Sequence, residues 1–234
     1  MKTTGNTIFI SGGSAGIGLA IAKKLNAEGN KIIINGRNEE RLQNALQQLD
    51  DAVAIQGDLS LEADRLRIAE DLKNNHPEVN IIINNAGAAF AYLLNETQNA
   101  HEKAAIEMNT NYFSVIHFTE LLLPYLVQKA EAVVINISSI AVFGSHKMLP
   151  TYGATKAALH SYTLALRQTY EEQQNVQIYE VYPPLVNTDF SAEIGGANGI
   201  PPSEVADELL LALAKNQFDV PVGDSKQFFA KELV

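Results

Sequence analysis

Tyr152 and Lys156 stand four residues apart in Tyr-Gly-Ala-Thr-Lys. On a helix that spacing places both side chains on one face, one turn apart. A phenol with an ordinary pKa near ~10 is a poor acid–base group at neutral pH. An ammonium beside it favours the phenolate and lowers that value toward a useful range. Ser139, thirteen positions upstream, brings a hydroxyl suited to holding a carbonyl oxygen. Ser138 is the neighbouring alternative, and the interval favours Ser139. These three side chains together suit proton transfer to or from an oxygen.

A second cluster is made of glycines. Ser11-Gly12-Gly13-Ser14-Ala15-Gly16-Ile17-Gly18 separates a short apolar run from an amphipathic segment. Glycines let a backbone turn tightly, approach a pyrophosphate and pack a helix on a sheet, while the helix N-terminus offers free N–H groups to phosphate. The spacing is Gly-x-x-x-Gly-x-Gly rather than the commoner Gly-x-Gly-x-x-Gly, and alone it also fits a plain strand–helix turn. The histidines His76, His101, His117, His146 and His160 show no metal-ligand spacing. His117 and His160 read as packed or exposed helix residues. His146 lies in the Gly144–Leu149 loop just before Tyr152, where it could edge a pocket. No Gly-x-Ser-x-Gly nucleophile turn occurs.

These residues need a frame. The apolar runs Thr7–Ser11, Lys31–Asn35, Val53–Gln56, Asn80–Asn84, Ala132–Ser138 and Gln177–Tyr182 are short, rich in Ile and Val, and nearly unbroken. Strands buried on both faces of a parallel sheet read this way. Between them lie helical patterns at Ile17–Glu28, Glu39–Leu49, Leu61–Asn74, Ala100–Lys129 and Thr151–Gln173. The alternation predicts right-handed βαβ units in an α/β, doubly wound parallel sheet with helices on both faces. Pro183-Pro184 opens a Gly- and Pro-rich stretch to Pro202 that reads as a long mobile loop. A last helix, Ser203 to about Asn216, takes Ser203 as N-cap, and Phe218–Val222 supplies a seventh strand.

Composition sets bounds. The chain has 234 residues, 46% hydrophobic and 19% charged, which is globular. Zero Cys excludes disulfides, thiolate metal sites and a catalytic thiol. A net charge of −10 argues against a nucleic-acid partner. No run approaches the ~20 apolar residues of a membrane helix, and the N-terminus lacks a signal-peptide core. A cytoplasmic protein is expected, with one domain over residues 1–234: a cofactor half to about 130 and a catalytic and substrate half from about 131.

The glycine turn, Gly57-Asp58-Leu59, Asn84-Asn85-Ala86-Gly87, Asn111, Ser138-Ser139, Tyr152/Lys156 and Pro183 through Thr188 occur in that order. With them the chain resembles the short-chain dehydrogenase/reductase family, in its short single-domain branch, from about Thr7 to Thr188. The resemblance implies a Rossmann-type sheet of about seven strands and hydride transfer between nicotinamide and a carbonyl or alcohol. It implies Tyr152 as proton donor and acceptor, Ser139 on the developing charge, and Lys156 also on the nicotinamide ribose. An asparagine would hold a water linking Lys156 to solvent; Asn109 and Asn111 compete, and counting back from Pro124 selects Asn111. By the same resemblance Ser11, Gly12, Ser14, Gly16, Ile17 and Gly18 cradle the cofactor. Asp58 meets the adenine, Asn85, Ala86 and Gly87 line the adenosine ribose, Val186 and Thr188 hold the carboxamide and diphosphate, and Leu59 and Pro183 also belong to the cofactor site. The family usually has Thr at the position of Ser11 and Gly at that of Pro184, so the local shape near the nicotinamide is open.

Cofactor choice is read from residues. Sites that select NAD usually carry a carboxylate after the second strand. Here that position is Gly36, followed by Arg37 and Asn38, and Arg37 with Ser14 suits a 2′-phosphate. NADP(H) is therefore expected. The pocket is expected from Ala88–Leu94, Ile140–Leu149 and Leu185–Gly199. Phe90, Tyr92, Val142, Phe143, Met148, Leu149 and Phe190 there point to an apolar carbonyl compound, with His146 at the pocket edge. The short C-terminal part resembles a bacterial subgroup named for an oxidoreductase of the D-alanyl-lipoteichoic-acid operon. Apolar surface on the helices at 100–129 and 151–173, which pair across a two-fold axis in the family, implies a homodimer or homotetramer. The competing reading is a catalytically silent regulator or scaffold on the same fold.

Overall fold

The computed structural model describes residues 1–232. Seven strands form one parallel sheet: β1 (Thr7–Ser11), β2 (Lys31–Gly36), β3 (Ala52–Gln56), β4 (Val79–Asn84), β5 (Ala132–Ile137), β6 (Val176–Tyr182) and β7 (Asp219–Pro221). Their spatial order is β3-β2-β1-β4-β5-β6-β7, with every neighbouring pair parallel. The unbroken apolar strands follow from two cores. Ile8, Ile10, Ile32, Ile34 and Ile135 face one helix layer, while the residues between them, Phe9, Ile33 and Val134, face the other. The first layer holds α1 (Gly16–Ala27), α2 (Glu39–Leu46) and α7 (Pro202–Lys215); the second holds α3 (Glu62–Asn75), α5 (Ser114–Leu126) and α6 (Tyr152–Thr169). The doubly wound expectation holds.

Strand order reverses at β1, and in such sheets ligands bind beyond the strand ends at that point. Ser11 closes the seam there. Its hydroxyl accepts from the N–H groups of Asn85 and Ala86 at 2.9 and 3.0 Å and donates to the Ile83 carbonyl.

Three expectations need correction. The helix expected over 100–129 is divided into α4 (Ala100–Met108), a π-helical turn at Asn109–Phe113, and α5. Asn111 spends its side chain on distant partners, described below, and π turns often sit at functional sites. Ser203 does not cap α7: Pro201 is the N-cap and Pro202 the first helical residue, with its φ already suited to the helix. The stretch to Pro202 is also built rather than bare. It holds 3₁₀ turns at Asp189–Ile194 and Gly196–Asn198, and a bridge between Val186 and Ile200. Its glycines serve packing as well as turning: a Cβ on Gly199 would lie 2.6 Å from the Leu185 carbonyl oxygen. A further helix, α8 (Ser225–Glu232), follows β7 and was not anticipated.

Candidate active site

The glycine turn leaves the end of β1 and enters α1. Gly12 and Gly16 have φ of +64° and +55°, a region that other residues enter only with strain. Gly18 is required for closeness instead: a Cβ there would sit 2.3 Å from the Gly12 carbonyl oxygen and 2.5 Å from Asn85 Nδ2. Asn85 clamps the turn by donating to the carbonyls of Ser11 and Gly12 at 2.9 and 3.2 Å. No side chain caps α1, since Ala15 is the N-cap, and its first turn carries no acidic residue. Its free N–H groups, with Gly12, Gly16 and Ile17 on the cleft wall, therefore make a cradle that fits a diphosphate.

Tyr152 opens α6 and is 8% exposed; Lys156, one turn on, is 4% exposed. Lys156 Nζ donates to the Ile137 carbonyl at the end of β5 at 2.8 Å and lies 5.7 Å from the Tyr152 ring centre. Ser139 Oγ accepts from Ala141 N–H at 3.1 Å, which leaves its own O–H free to donate. The Ser139 hydroxyl stands beside Tyr152 and favours its phenolate; the Ser138 hydroxyl is buried without a partner among the described residues.

Charge in this cluster differs from the expectation. Burial drives the Tyr152 phenol well above the ordinary tyrosine value, Ser139 opposes this, and the Glu107 carboxylate adds to it. Burial also lowers Lys156 to about 8, against the nearby Glu180 carboxylate. In both groups desolvation is the largest influence.

The two asparagines part company. Asn109 Nδ2 donates to the Ser60 carbonyl at 3.0 Å. Asn111 is fully buried; its Oδ1 accepts from Ala88 N–H at 2.7 Å and its Nδ2 donates to the Ala88 carbonyl and Thr155 Oγ1 at 2.8 and 2.9 Å. It thus ties the segment after β4 to α6, one residue from Lys156. A Cβ on Gly87 would approach Asn111 Oδ1 to 3.3 Å.

The main cleft encloses about 1080 Å³ beyond the ends of β1, β4, β5 and β6. Ser139, Tyr152 and Lys156 share its wall with Gly12, Gly16, Ile17, Asn85, Ala86, Gly87, Pro183, Val186 and Thr188. Of the expected pocket residues Phe143, His146, Leu149 and Phe190 line it, whereas Phe90, Tyr92, Val142 and Met148 do not. Tyr92 turns inward instead, its hydroxyl 2.7 Å from Thr151 Oγ1. Thr151 in turn donates to Glu107 Oε2 at 2.6 Å, and Phe90 N–H to Glu107 Oε1 at 2.9 Å.

Gly36, Arg37, Asn38, Asp58 and Leu59 gather at the ends of β2 and β3. Arg37 Nη1 is 3.7 Å from Asp58 Oδ2, and Ser14 Oγ would be 3.0 Å from a Cβ on Gly36. The Leu59 side chain belongs to the core. Asn38 caps α2, accepting from Arg41 N–H at 2.9 Å. Asn38→Ala is expected to cost about 1 kcal/mol of stability, read as a lower urea midpoint with unchanged slope. An unchanged midpoint would remove the capping role.

The model of the short chain dehydrogenase family matches residues 6–198. The chain is a member of the short-chain dehydrogenase/reductase family. It is 35% identical over 200 residues to an uncharacterized oxidoreductase, DltE, of Bacillus subtilis (strain 168), covering 86% of this chain and 79% of that one. A fatty acyl-CoA reductase of Acinetobacter baylyi is 29% identical, with 90% of this chain and 74% of that protein covered. Among solved structures, a short chain dehydrogenase from Burkholderia cenocepacia in complex with NADP superposes with a TM-score of 0.87 at 24% identity, covering 100% and 94% of the two chains. A short-chain dehydrogenase/reductase from Burkholderia phymatum in complex with NAD gives 0.87 at 20% identity, covering 94% and 90%. These two likenesses concern the fold.

Within this family frame, two residues escaped sequence reading. Glu107 looks like any solvated carboxylate on an amphipathic helix, yet it is fully buried and holds the 88–92 segment. Phe228 of α8 reaches the cleft from the end of the chain. The packing of its neighbour Phe229 on Phe143 and Tyr182, at 6.2 and 5.4 Å between ring centres, helps bring it there.

Proposed function

We propose that this oxidoreductase uses NADP(H) to interconvert an apolar carbonyl compound and its alcohol. The observation that carries the reading is the meeting of Ser139, Tyr152 and Lys156 on one wall of the cleft whose other wall is the glycine cradle. The cofactor would lie along Gly12, Gly16, Ile17, Asn85, Ala86, Gly87, Val186 and Thr188 and supplies the hydride when bound. Tyr152, kept protonated by its burial, gives its proton to the substrate oxygen. Ser139, its lone pair engaged by Ala141, donates a preformed hydrogen bond to the same oxygen. Lys156 orients the ribose and returns a proton to Tyr152, while Asn111 positions α6 beneath both. The half to about residue 130 supplies most of the cofactor cradle, and the half beyond supplies Ser139, Tyr152, Lys156 and the substrate wall, with Val186 and Thr188 also reaching the cofactor. The absence of Cys suits a reducing cytoplasm.

Phe143, Leu149, Phe190, Ile194 and Phe228 give the substrate side of the cleft an apolar wall. An NADPH-oxidation screen over aldehydes, ketones, quinones and sugars tests the reading. Turnover concentrated among apolar aldehydes and ketones is expected; preference for sugars, or no turnover with any class, counts against it.

A homo-oligomer is also proposed. Leu122, Leu123 and Leu126 are spent in the core, but Ile106, Phe113 and Leu164 on α4, the π turn and α6 remain substantially exposed. Pairing of that face across a two-fold axis would cover them. Light scattering at micromolar concentration should give a dimer or tetramer; a monomer would defeat this.

A further inference from the structure

Glu180, on β6, is a carboxylate with 0% exposure on the sheet face beneath α6. Its Oε2 lies 2.9 Å from His160 Nδ1 and accepts from the Tyr182 hydroxyl at 3.0 Å. Its Oε1 is also buried and has no partner among the described residues. A buried carboxylate with an unmet oxygen is costly, which points to a function for it. His160 follows Tyr152 and Lys156 at successive four-residue steps along α6, so all three share a face. The His160 side chain is 26% exposed, whereas Lys156 is buried.

An ammonium has three donors, and Ile137 takes one of those of Lys156. Glu180 favours the charged form of Lys156 against burial. The same carboxylate, helped by Asp219 and opposed by burial and Arg167, holds His160 above its ordinary range. The remaining polar neighbours are the Tyr182 hydroxyl, which also donates to Asp219 Oδ1 at 2.9 Å, and Arg167, paired with Asp219 at 2.8 Å.

We infer that Glu180 and His160 form a proton route between Lys156 and solvent, a role resting on the reading of Tyr152 as proton donor. In each reduction the Tyr152 Oη–H bond breaks and its proton goes to the product oxygen. Lys156 Nζ–H then reprotonates the phenolate. The His160 imidazolium passes its Nδ1 proton to the Glu180 carboxylate; the carboxyl group so formed hands a proton through one water to the neutral amine, which restores carboxylate and ammonium, and His160 is reprotonated from solvent. One solvent proton is consumed per carbonyl reduced, as hydride delivery requires.

The first test needs no turnover. His160 is titrated through its imidazole proton resonances in the wild type, Glu180→Gln and Lys156→Met. Glu180→Gln should lower the midpoint by about one pH unit or more, and Lys156→Met should raise it by about half a unit, because removing the ammonium strengthens the hold of Glu180 on the proton. A midpoint unmoved by Lys156→Met overturns the coupling. The second test measures kcat against pH with NADPH and 9,10-phenanthrenequinone. Since Lys156 loses its charge as pH rises through about 8, the alkaline limb in Glu180→Gln should move at least about half a pH unit lower. His160→Ala should lose about tenfold in kcat and regain it with added imidazole. An unchanged limb, or a loss that imidazole does not restore, removes the route. Should Glu180→Gln fail to fold, His160→Asn at the partly exposed end carries the same kinetic test. Tyr152→Phe separates the two readings: full turnover there defeats the proton-donor role itself, whereas lost turnover with a silent Glu180→Gln defeats the route alone.

Discussion

Tyr152→Phe is expected to lower turnover by about 10²- to 10⁴-fold or more while cofactor affinity stays within about twofold. The substitution removes one oxygen from a side chain that is otherwise part of the cleft wall. Burial pushes that phenol well above the ordinary tyrosine value, which suits the proposed role of proton donor. Without it the hydroxyls left on that wall of the cleft include Ser138, Ser139 and Ser145. Ser139 has an even weaker acid for a side chain, and its proposed role is to donate a hydrogen bond rather than to part with the proton. Cofactor fluorescence titration and steady-state rates on the purified variant check both halves. Turnover within about tenfold of the wild type would sink the assignment.

The sheet was legible because each strand is buried on both faces, which forces a continuous apolar run. The glycine turn was legible because its shape is a backbone property: positive φ at Gly12 and Gly16 and the close approach at Gly18 admit few substitutes. Tyr152 and Lys156 were legible because helix periodicity alone fixes their shared face. What escaped depends on contacts between residues far apart in the chain. The π turn exists where Asn111 bonds Ala88 and Thr155, partners 23 and 44 residues away, which no local pattern encodes. Phe90 and Tyr92 carry the apolar character of pocket walls, but the segment after β4 is held by Glu107 so that the Tyr92 hydroxyl points to Thr151. The Pro- and Gly-rich stretch before α7 has the composition of a loose loop. Its order comes from Ser191, which donates to the Val186 carbonyl, and from Ile200 N–H on Leu185 at 3.0 Å. The electrostatics of Tyr152 failed for the same reason: spacing shows the ammonium but not the burial, which is the largest influence on the phenol.

Replacing Arg37 by Ala is expected to weaken NADPH by roughly 10- to 150-fold and to leave NADH almost unchanged, the span set by one hydrogen bond to a charged group. The side chain of Arg37 is 77% exposed, and its ionic neighbour among the described residues, Asp58, is 3.7 Å away, so the guanidinium can turn onto a 2′-phosphate. Arg41, the next cation along, is engaged with Asp189 at 3.3 Å across the cleft rim. No carboxylate stands at position 36 to accept from ribose hydroxyls or to repel a phosphate. Gly36→Asp supplies one. Its Cβ would meet Ser14 Oγ at 3.0 Å and Leu42 Cδ2 at 3.4 Å, both ends of side chains that can give by a few tenths of an ångström, so the fold should accept it. The new carboxylate would then oppose the phosphate beside Arg37 and move the preference toward NADH. The check is kcat/KM for both cofactors in the wild type, Arg37→Ala and Gly36→Asp. A wild-type enzyme that uses NADH as efficiently as NADPH, or better, would show that Arg37 and Ser14 do not read the phosphate.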